Sequence, residues 1–474
     1  MVMQARGPHS ARQVTRRPPR RVEIPLLRTG GAGVVRSARA MPRGTFLATL
    51  ILIFVLPFFA QVFHYLNELP PPYYLSKAWP VLMFPFGLYA ILKLNLPGHN
   101  LFLVLLAYLL GFTPLISIIQ LGNGLFDALT TTVKAWPFIY YFALSGVLVL
   151  LALPPERVRK VFLGFGLGTF VLFIVIWVVA PASWYVTNPE DGKLLQYDVD
   201  RGHRVYMSTF FGMIFIFYMG RSFIETRKLI YAVAIPVALL ILLLIYKQRT
   251  AIAAAFLITC YGMVMSLPPR QRRLAAGFGV LVAVPLVALG AWQAGLFTPT
   301  GWEKVGAIFG GSLSVRQNSA GLAAGYLGDH TLRWMFGVGA TTRFGAVTLA
   351  DIFGYDQFFI ADLGWLGVVF EYGIIGAMLI LAVHVWSFFT ITRNGMVEKD
   401  RFQLVLGDYV LYLLLTSSVY SLVFLPGELG VVLALAMYLH QCRAKAGGDM
   451  MVASSRGRRW LPRFSKRGQH AQAD

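Results

Sequence analysis

Charged side chains make up only 13% of this 474-residue chain, so the residues available for polar chemistry are few. Arg249 lies in YKQRTAIAAAF, a short break between two long apolar runs, with Lys247 beside it. Arg316 lies in the polar stretch SLSVRQNS. A guanidinium offers a planar fork of donors that suits phosphate. At the edge of an apolar run, Arg249 and Lys247 either snorkel to water or hold an anionic group. Arg316 is either a solvated loop side chain or a second such anchor. Arg333 and Arg343 flank GVGATT, where Gly337 and Gly339 make a tight turn or present backbone amides to an anion.

The acidic candidates are Asp351, Asp356 and Asp362. Asp362 immediately precedes LGWLGVVFEYGIIG, where it either accepts a proton from a hydroxyl or caps the helix that follows. Glu371 lies nine residues further into that apolar stretch and either pairs with a cation in a helical interior or carries function. His203 and His330 fall in polar segments; each is a titratable candidate or a solvated loop residue.

These residues must be positioned by apolar helices. Hydrophobic residues make up 57% of the chain, against about 25% charged in an ordinary soluble domain where this one has 13%. Mean hydropathy is +0.63. Apolar runs recur at a length near the ~20 residues that cross a ~30 Å hydrocarbon core. The pattern predicts an all-α polytopic membrane bundle with about twelve spans, near 45–64, 78–94, 101–119, 134–153, 161–180, 206–222, 229–246, 250–268, 274–293, 362–391, 403–421 and 424–441. The last two are separated by Pro426 and Gly427 and read alternatively as one span plus a re-entrant piece.

The remaining segments follow. Residues 1–44 carry ten Arg and no apolar core, which predicts a disordered basic cytoplasmic tail rather than a signal peptide. Residues 45–293 hold spans one to nine, 294–361 form a large periplasmic loop, 362–441 hold spans ten to twelve, and 442–474 form a second basic cytoplasmic tail. With the N-terminus inside, the cytoplasmic segments hold 31 of the 42 Lys and Arg, so both termini are expected in the cytoplasm. Attraction to anionic membrane lipid explains the tails, and no nucleic-acid partner is needed. A second outer segment, from Pro181 to about Val205, holds NPEDGKLLQYDVDRGHR. Within the large loop, Val315 to Met335 is expected to form an amphipathic surface helix. Cys260 and Cys442 suggest neither a disulfide nor a metal site.

Taken in order, QRTAIAAAFL, the basic turn PPRQRR, a span, SLSVR, LRWMFGVGATT and LGWLGVVFEYGIIG resemble the O-antigen ligase and polysaccharide polymerase superfamily of bacterial inner membranes. The resemblance covers roughly residues 240–385. It implies a bundle of about twelve spans. It also implies glycan transfer at the periplasmic face, from an undecaprenyl diphosphate-linked oligosaccharide donor to a glycan or lipid A-core acceptor, with polysaccharide assembly proteins as further partners. Arg249 and Arg316 would contact the donor diphosphate, with Lys247 and Arg333 as supporting cations. The family looks metal-independent and without cofactor, so cationic side chains would stabilise the leaving diphosphate. One departure stands out. The family's His-Asn pair ahead of the glycine-rich helix is replaced here by YDQFFIADLGW, which has no His. That leaves Asp362, Asp356 or His330 as the base. The competing expectation is a transporter, either a lipid-linked glycan flippase or another twelve-span carrier, although no repeated halves are visible.

Overall fold

The computed structural model describes residues 43–446 apart from 65, 188–191, 199–200, 294–310, 342–346, 355–357, 359 and 422–424, and leaves out the side chains of 43, 280, 282–284, 286–293, 311–314 and 444–446. Residues 1–42 of the expected tail 1–44 and most of the tail 442–474 therefore lie outside the described residues, and Arg43 and Gly44 already belong to the first helix. The last helix runs on to Ala446, past the expected start of the second tail.

Each of the twelve apolar segments is helical. The first half comprises α1 (Arg43–Phe59), α2 (Pro70–Leu82), α3 (Phe84–Lys93), α4 (His99–Ala107), α5 (Thr113–Leu121), α6 (Leu125–Thr131), α7 (Tyr140–Leu151) and α8 (Pro155–Val179). A π turn, Tyr108–Phe112, joins α4 to α5. A two-stranded antiparallel hairpin follows, β1 (Leu195–Asp198) and β2 (Gly202–Val205), in the segment expected to be loop. Then come α9 (Phe210–Thr226), α10 (Leu229–Ile241), α11 (Arg249–Met265) and α12 (Pro269–Gln293). The polar region holds α13 (Gly311–Leu327), α14 (Thr331–Phe336) and α15 (Leu349–Phe353). The chain closes with α16 (Trp365–Glu398), α17 (Arg401–Thr416) and α18 (Pro426–Ala446).

Among the described residues, five helical stretches are long and apolar enough to cross a membrane: Pro70–Lys93, His99–Leu121, Pro155–Val179, Leu229–Tyr246 and Trp365–Glu398. A sixth is added if the bent pair Leu125–Lys134 and Trp136–Leu151 counts as one. The helices α9 and α17, of 17 and 16 residues, are shorter than the ~20 residues of a straight crossing.

Burial separates an inner from an outer set of helices. Along α18, Leu429 and every residue from Val431 to Met437 are buried, as are Tyr140, Tyr141 and Phe142 of α7 beside it. A helix apolar on all sides belongs in the middle of such a bundle. By contrast, α8 and α10 turn large apolar side chains outward, among them Val178, Val179, Leu229 and Ile230. Outward apolar surface of that extent is what a lipid environment accepts.

The expected single amphipathic helix over Val315–Met335 is two helices, α13 and α14. Gly328 takes a positive φ of 47° and His330 is extended, which ends one helix and starts the next. On α13, Ser319, Ala323 and Leu327 form the buried face. Ala323 and Leu327 pack with Val338, Ile360 and Phe370 into a second small core. That core fixes α13 against the start of α16.

Candidate functional site

The site lies where α13, the hairpin and the entry to α16 meet. Arg316 stands one turn before Ser319, so it projects from near the buried stripe of α13 toward the turn Ile360–Leu363. There its Nη2 lies 3.9 Å from Asp362 Oδ2. The guanidinium carbon is 5.9 Å from the centre of the Tyr420 ring. Both partners stay accessible, with 31% of the Arg316 side chain and 41% of the Asp362 side chain exposed, so an anion from solution can reach them. Burial pushes the Asp362 carboxyl above its ordinary value, while Arg316 and Arg201 oppose that shift.

The hairpin brings further cations. Its register pairs Gln196 with Arg204 and Tyr197 with His203, which places Arg204 and His203 on opposite faces. Gly202 turns at φ +68°. Arg201 Nε lies 3.7 Å from Asp198 Oδ2, and its charge reaches Asp362. Arg204 donates to the Gln196 side chain. The His203 ring packs edge-on to Tyr185 at 4.6 Å and lies 5.0 Å from Tyr197. The hairpin is anchored at two points. Lys247 Nζ donates to the Arg201 carbonyl at 2.7 Å, and Glu68 Oε1 accepts from the backbone N–H of Leu194 at 2.6 Å and from that of Lys193.

Below this constellation α16 is broken. The sequence reads as a continuous helix, but Gly373 has φ 67° and ψ 177°. A Cβ there would sit 2.2 Å from the Met335 carbonyl oxygen, so glycine is required for the close approach as well as for the dihedral. Carbonyls freed by the break are taken up from outside the helix. Val338 N–H donates to Phe370 O at 2.9 Å, Gly339 N–H to Glu371 O at 3.1 Å, and Tyr108 Oη to Tyr372 O at 2.7 Å. The Val338 and Gly339 amides are thus spent on α16 and that of Gly337 on Arg333 O at 2.8 Å, so GVG does not form an anion nest. Glu371 is buried and accepts from Lys134 Nζ at 2.9 Å and from Thr341 N and Oγ1 at 3.1 and 3.2 Å. Of the two expectations for Glu371, this geometry is that of a carboxylate paired with a cation.

The other sequence candidates fall as follows. Arg249 opens α11 and is exposed, and among the described residues it makes no ion pair and does not touch Arg316. It leaves from the same end of the bundle, because neighbouring Gln248 acts on Tyr206, which lies within electrostatic reach of Arg204 and Asp362. Lys247 serves the hairpin rather than an open anion site. Arg333 is likewise committed: it donates to Gln120 Oε1 at 3.4 Å and Tyr326 O at 2.8 Å and stacks 4.7 Å over the Tyr326 ring. His330 is exposed at the start of α14, where its carbonyl accepts from Arg333 N–H, and no contact joins it to Asp362 among the described residues. Asp351 caps α15 in a reciprocal box with Thr348. Asp362 does not cap α16, whose N-cap is Gly364. Asp356 and Arg343 lie outside the described residues. Among the described residues, no group of three His, Cys, Asp or Glu is arranged to hold a metal ion.

Sequence reasoning missed two features. Arg201 was visible in DVDRGHR, but only the folded chain brings it within electrostatic reach of Asp362. Arg221, near the end of the expected span 206–222, is buried within α9 and pairs with Asp408 of α17 through Nε at 2.5 Å and Nη2 at 2.7 Å. The available signal was one lone cation and one lone acid, each set in an apolar run.

The sequence matches no protein-family model, and comparison with curated proteins likewise gives no match.

Proposed function

We propose that this protein is a multi-pass glycosyltransferase of the bacterial inner membrane. It moves glycan from an undecaprenyl diphosphate carrier to an acceptor sugar hydroxyl at the periplasmic face, and its product is exopolysaccharide or O-antigen. Polymerisation is favoured over ligation, with about twelve spans and both termini in the cytoplasm. The observation that carries this reading is a half-exposed carboxylate, Asp362, set among Arg316 and Arg201 with Arg204 nearby, at one end of an apolar helical bundle.

In this mechanism Arg316, assisted by Arg201, binds the donor diphosphate, and Arg249 reaches it from the neighbouring turn. Asp362 accepts the proton of the acceptor hydroxyl. The oxygen attacks the anomeric carbon, the bond from that carbon to the diphosphate oxygen breaks, and undecaprenyl diphosphate departs carrying the electron pair. The arginines stabilise the charge that develops on the leaving group. Holding donor and acceptor together contributes much of the rate.

A second reading, a lipid-linked glycan flippase, draws support from the break in α16 at Gly373 above a buried Lys134–Glu371 pair, since broken helices with buried charge are a transporter device. Both are tested by extracting carrier-linked glycans from cells lacking the gene. A polymerase predicts single repeat units accumulating on the outer leaflet, and a ligase predicts long chains still on the carrier. Units trapped on the inner leaflet would replace transfer with flipping. No change in any pool would remove both readings.

A further inference from the structure

As Arg201 and Asp198 do nearby, Asp362 and Arg316 form a loose pair. Their 3.9 Å separation is single-pronged, both side chains are open to solvent, and among the described residues Asp362 accepts no hydrogen bond. The Arg221–Asp408 pair is the opposite case: two prongs at 2.5 and 2.7 Å, with both side chains almost wholly buried. Loose and accessible pairs exchange partners cheaply, whereas buried bidentate pairs do not. The two residues of the loose pair also come from separate elements, α13 and the turn before α16, so one can turn away while the other stays. The Tyr420 ring near the guanidinium and the stripe packed beneath α13 hold Arg316 as the fixed partner.

We infer that Asp362 is the counter-ion of Arg316, and that an incoming phosphate displaces it. This rests on the diphosphate-binding role proposed above. A diphosphate brings more charge than a carboxylate and fits the guanidinium fork with two oxygens, so it outcompetes Asp362. The displaced carboxylate is repelled by the phosphate and loses its cation. It then stands as a free proton acceptor beside the bound donor. Donor binding and base release become one event, and a site without donor has a neutralised base.

The test uses the full-length protein in detergent, with farnesyl diphosphate as a soluble isoprenyl diphosphate probe and calorimetry as readout. Asp362→Asn keeps the shape and removes the competing charge. It is expected to bind the probe about two- to five-fold more tightly than the native protein, the range an exposed ion pair supports. In an Arg316→Ala background the same substitution is expected to leave affinity unchanged, a coupling that a general loss of structure does not reproduce. If the native protein binds the probe but Asp362→Asn binds it equally or more weakly, the displacement idea is wrong and the diphosphate site stands. If neither protein binds it, the diphosphate site itself is wrong, and the inference with it.

Discussion

The two ends of α16 carry similar residues in different arrangements. Past its C-terminal end, Arg401 pairs with Glu225, Arg443 with Glu398 and Asp400, and His440 with Glu398. One helix deeper, Arg221 pairs with Asp408. Every cation named there has a carboxylate. Before its N-terminal end, Arg316 and Arg201 act on Asp362, Arg201 also pairs with Asp198, and Arg204 and Lys247 bond to the Gln196 side chain and the Arg201 carbonyl. Here the Arg316–Asp362 pair is long and accessible. A closed network of matched charges clamps helices together. A long, accessible pair such as Arg316–Asp362 can open to a ligand. We propose from this difference that one end is structural and that the other carries the chemistry.

The largest way to break this comparison lies at the matched end. Asp408→Ala leaves the Arg221 guanidinium buried without its partner, which costs about 3–5 kcal/mol, and thermal unfolding in detergent should show it as a large drop in Tm. Next is Arg316→Ala, expected to reduce glycan transfer by about 100-fold or more, as removal of a leaving-group stabiliser does, while Tm moves little. Measured together, the two variants separate folding from function.

A third prediction concerns pH. The Asp362 carboxyl is shifted upward by burial, so it protonates at higher pH than an ordinary carboxylate of about 3.9. If it is the base it must be ionised, so transfer should rise with pH along a limb lying above that value. The stability sign is opposite: the fold favours the protonated form, so raising the pH through this range lowers stability slightly, and Asp362→Asn should unfold at the same or a slightly higher temperature at neutral pH. A pH–rate profile and a melting series check the two signs separately. The smallest effect is expected from Arg401→Ala, which loses an accessible ion pair worth about 0.2–1 kcal/mol and should leave transfer intact.

Local patterns carried much of the fold. Apolar runs marked each of the twelve helical segments, because length and hydropathy are properties of neighbours in sequence. Arg316 and Asp362 were each recognisable as chemically capable from a polar setting next to an apolar run. Their juxtaposition was not legible, because it depends on the Ala323–Leu327 stripe packing α13 against Ile360 and Phe370. The break at Gly373 was hidden for a similar reason. A glycine within an apolar helix reads as tolerable until the Met335 carbonyl is known to press against it. Arg333 and Lys247 misled in the other direction, since sequence marks a cation but not the backbone carbonyl that already occupies it.

The most direct test places the two ends of α16 side by side in cells. A strain lacking the gene would receive the native protein, the Arg316→Ala variant or the Arg401→Ala variant at equal membrane levels, and its outer-leaflet undecaprenyl diphosphate glycans would be sized. The account predicts that Arg401→Ala restores the native pattern, whereas Arg316→Ala leaves carrier-linked glycan accumulated as in the deletion. Restoration of the native pattern by Arg316→Ala would contradict it.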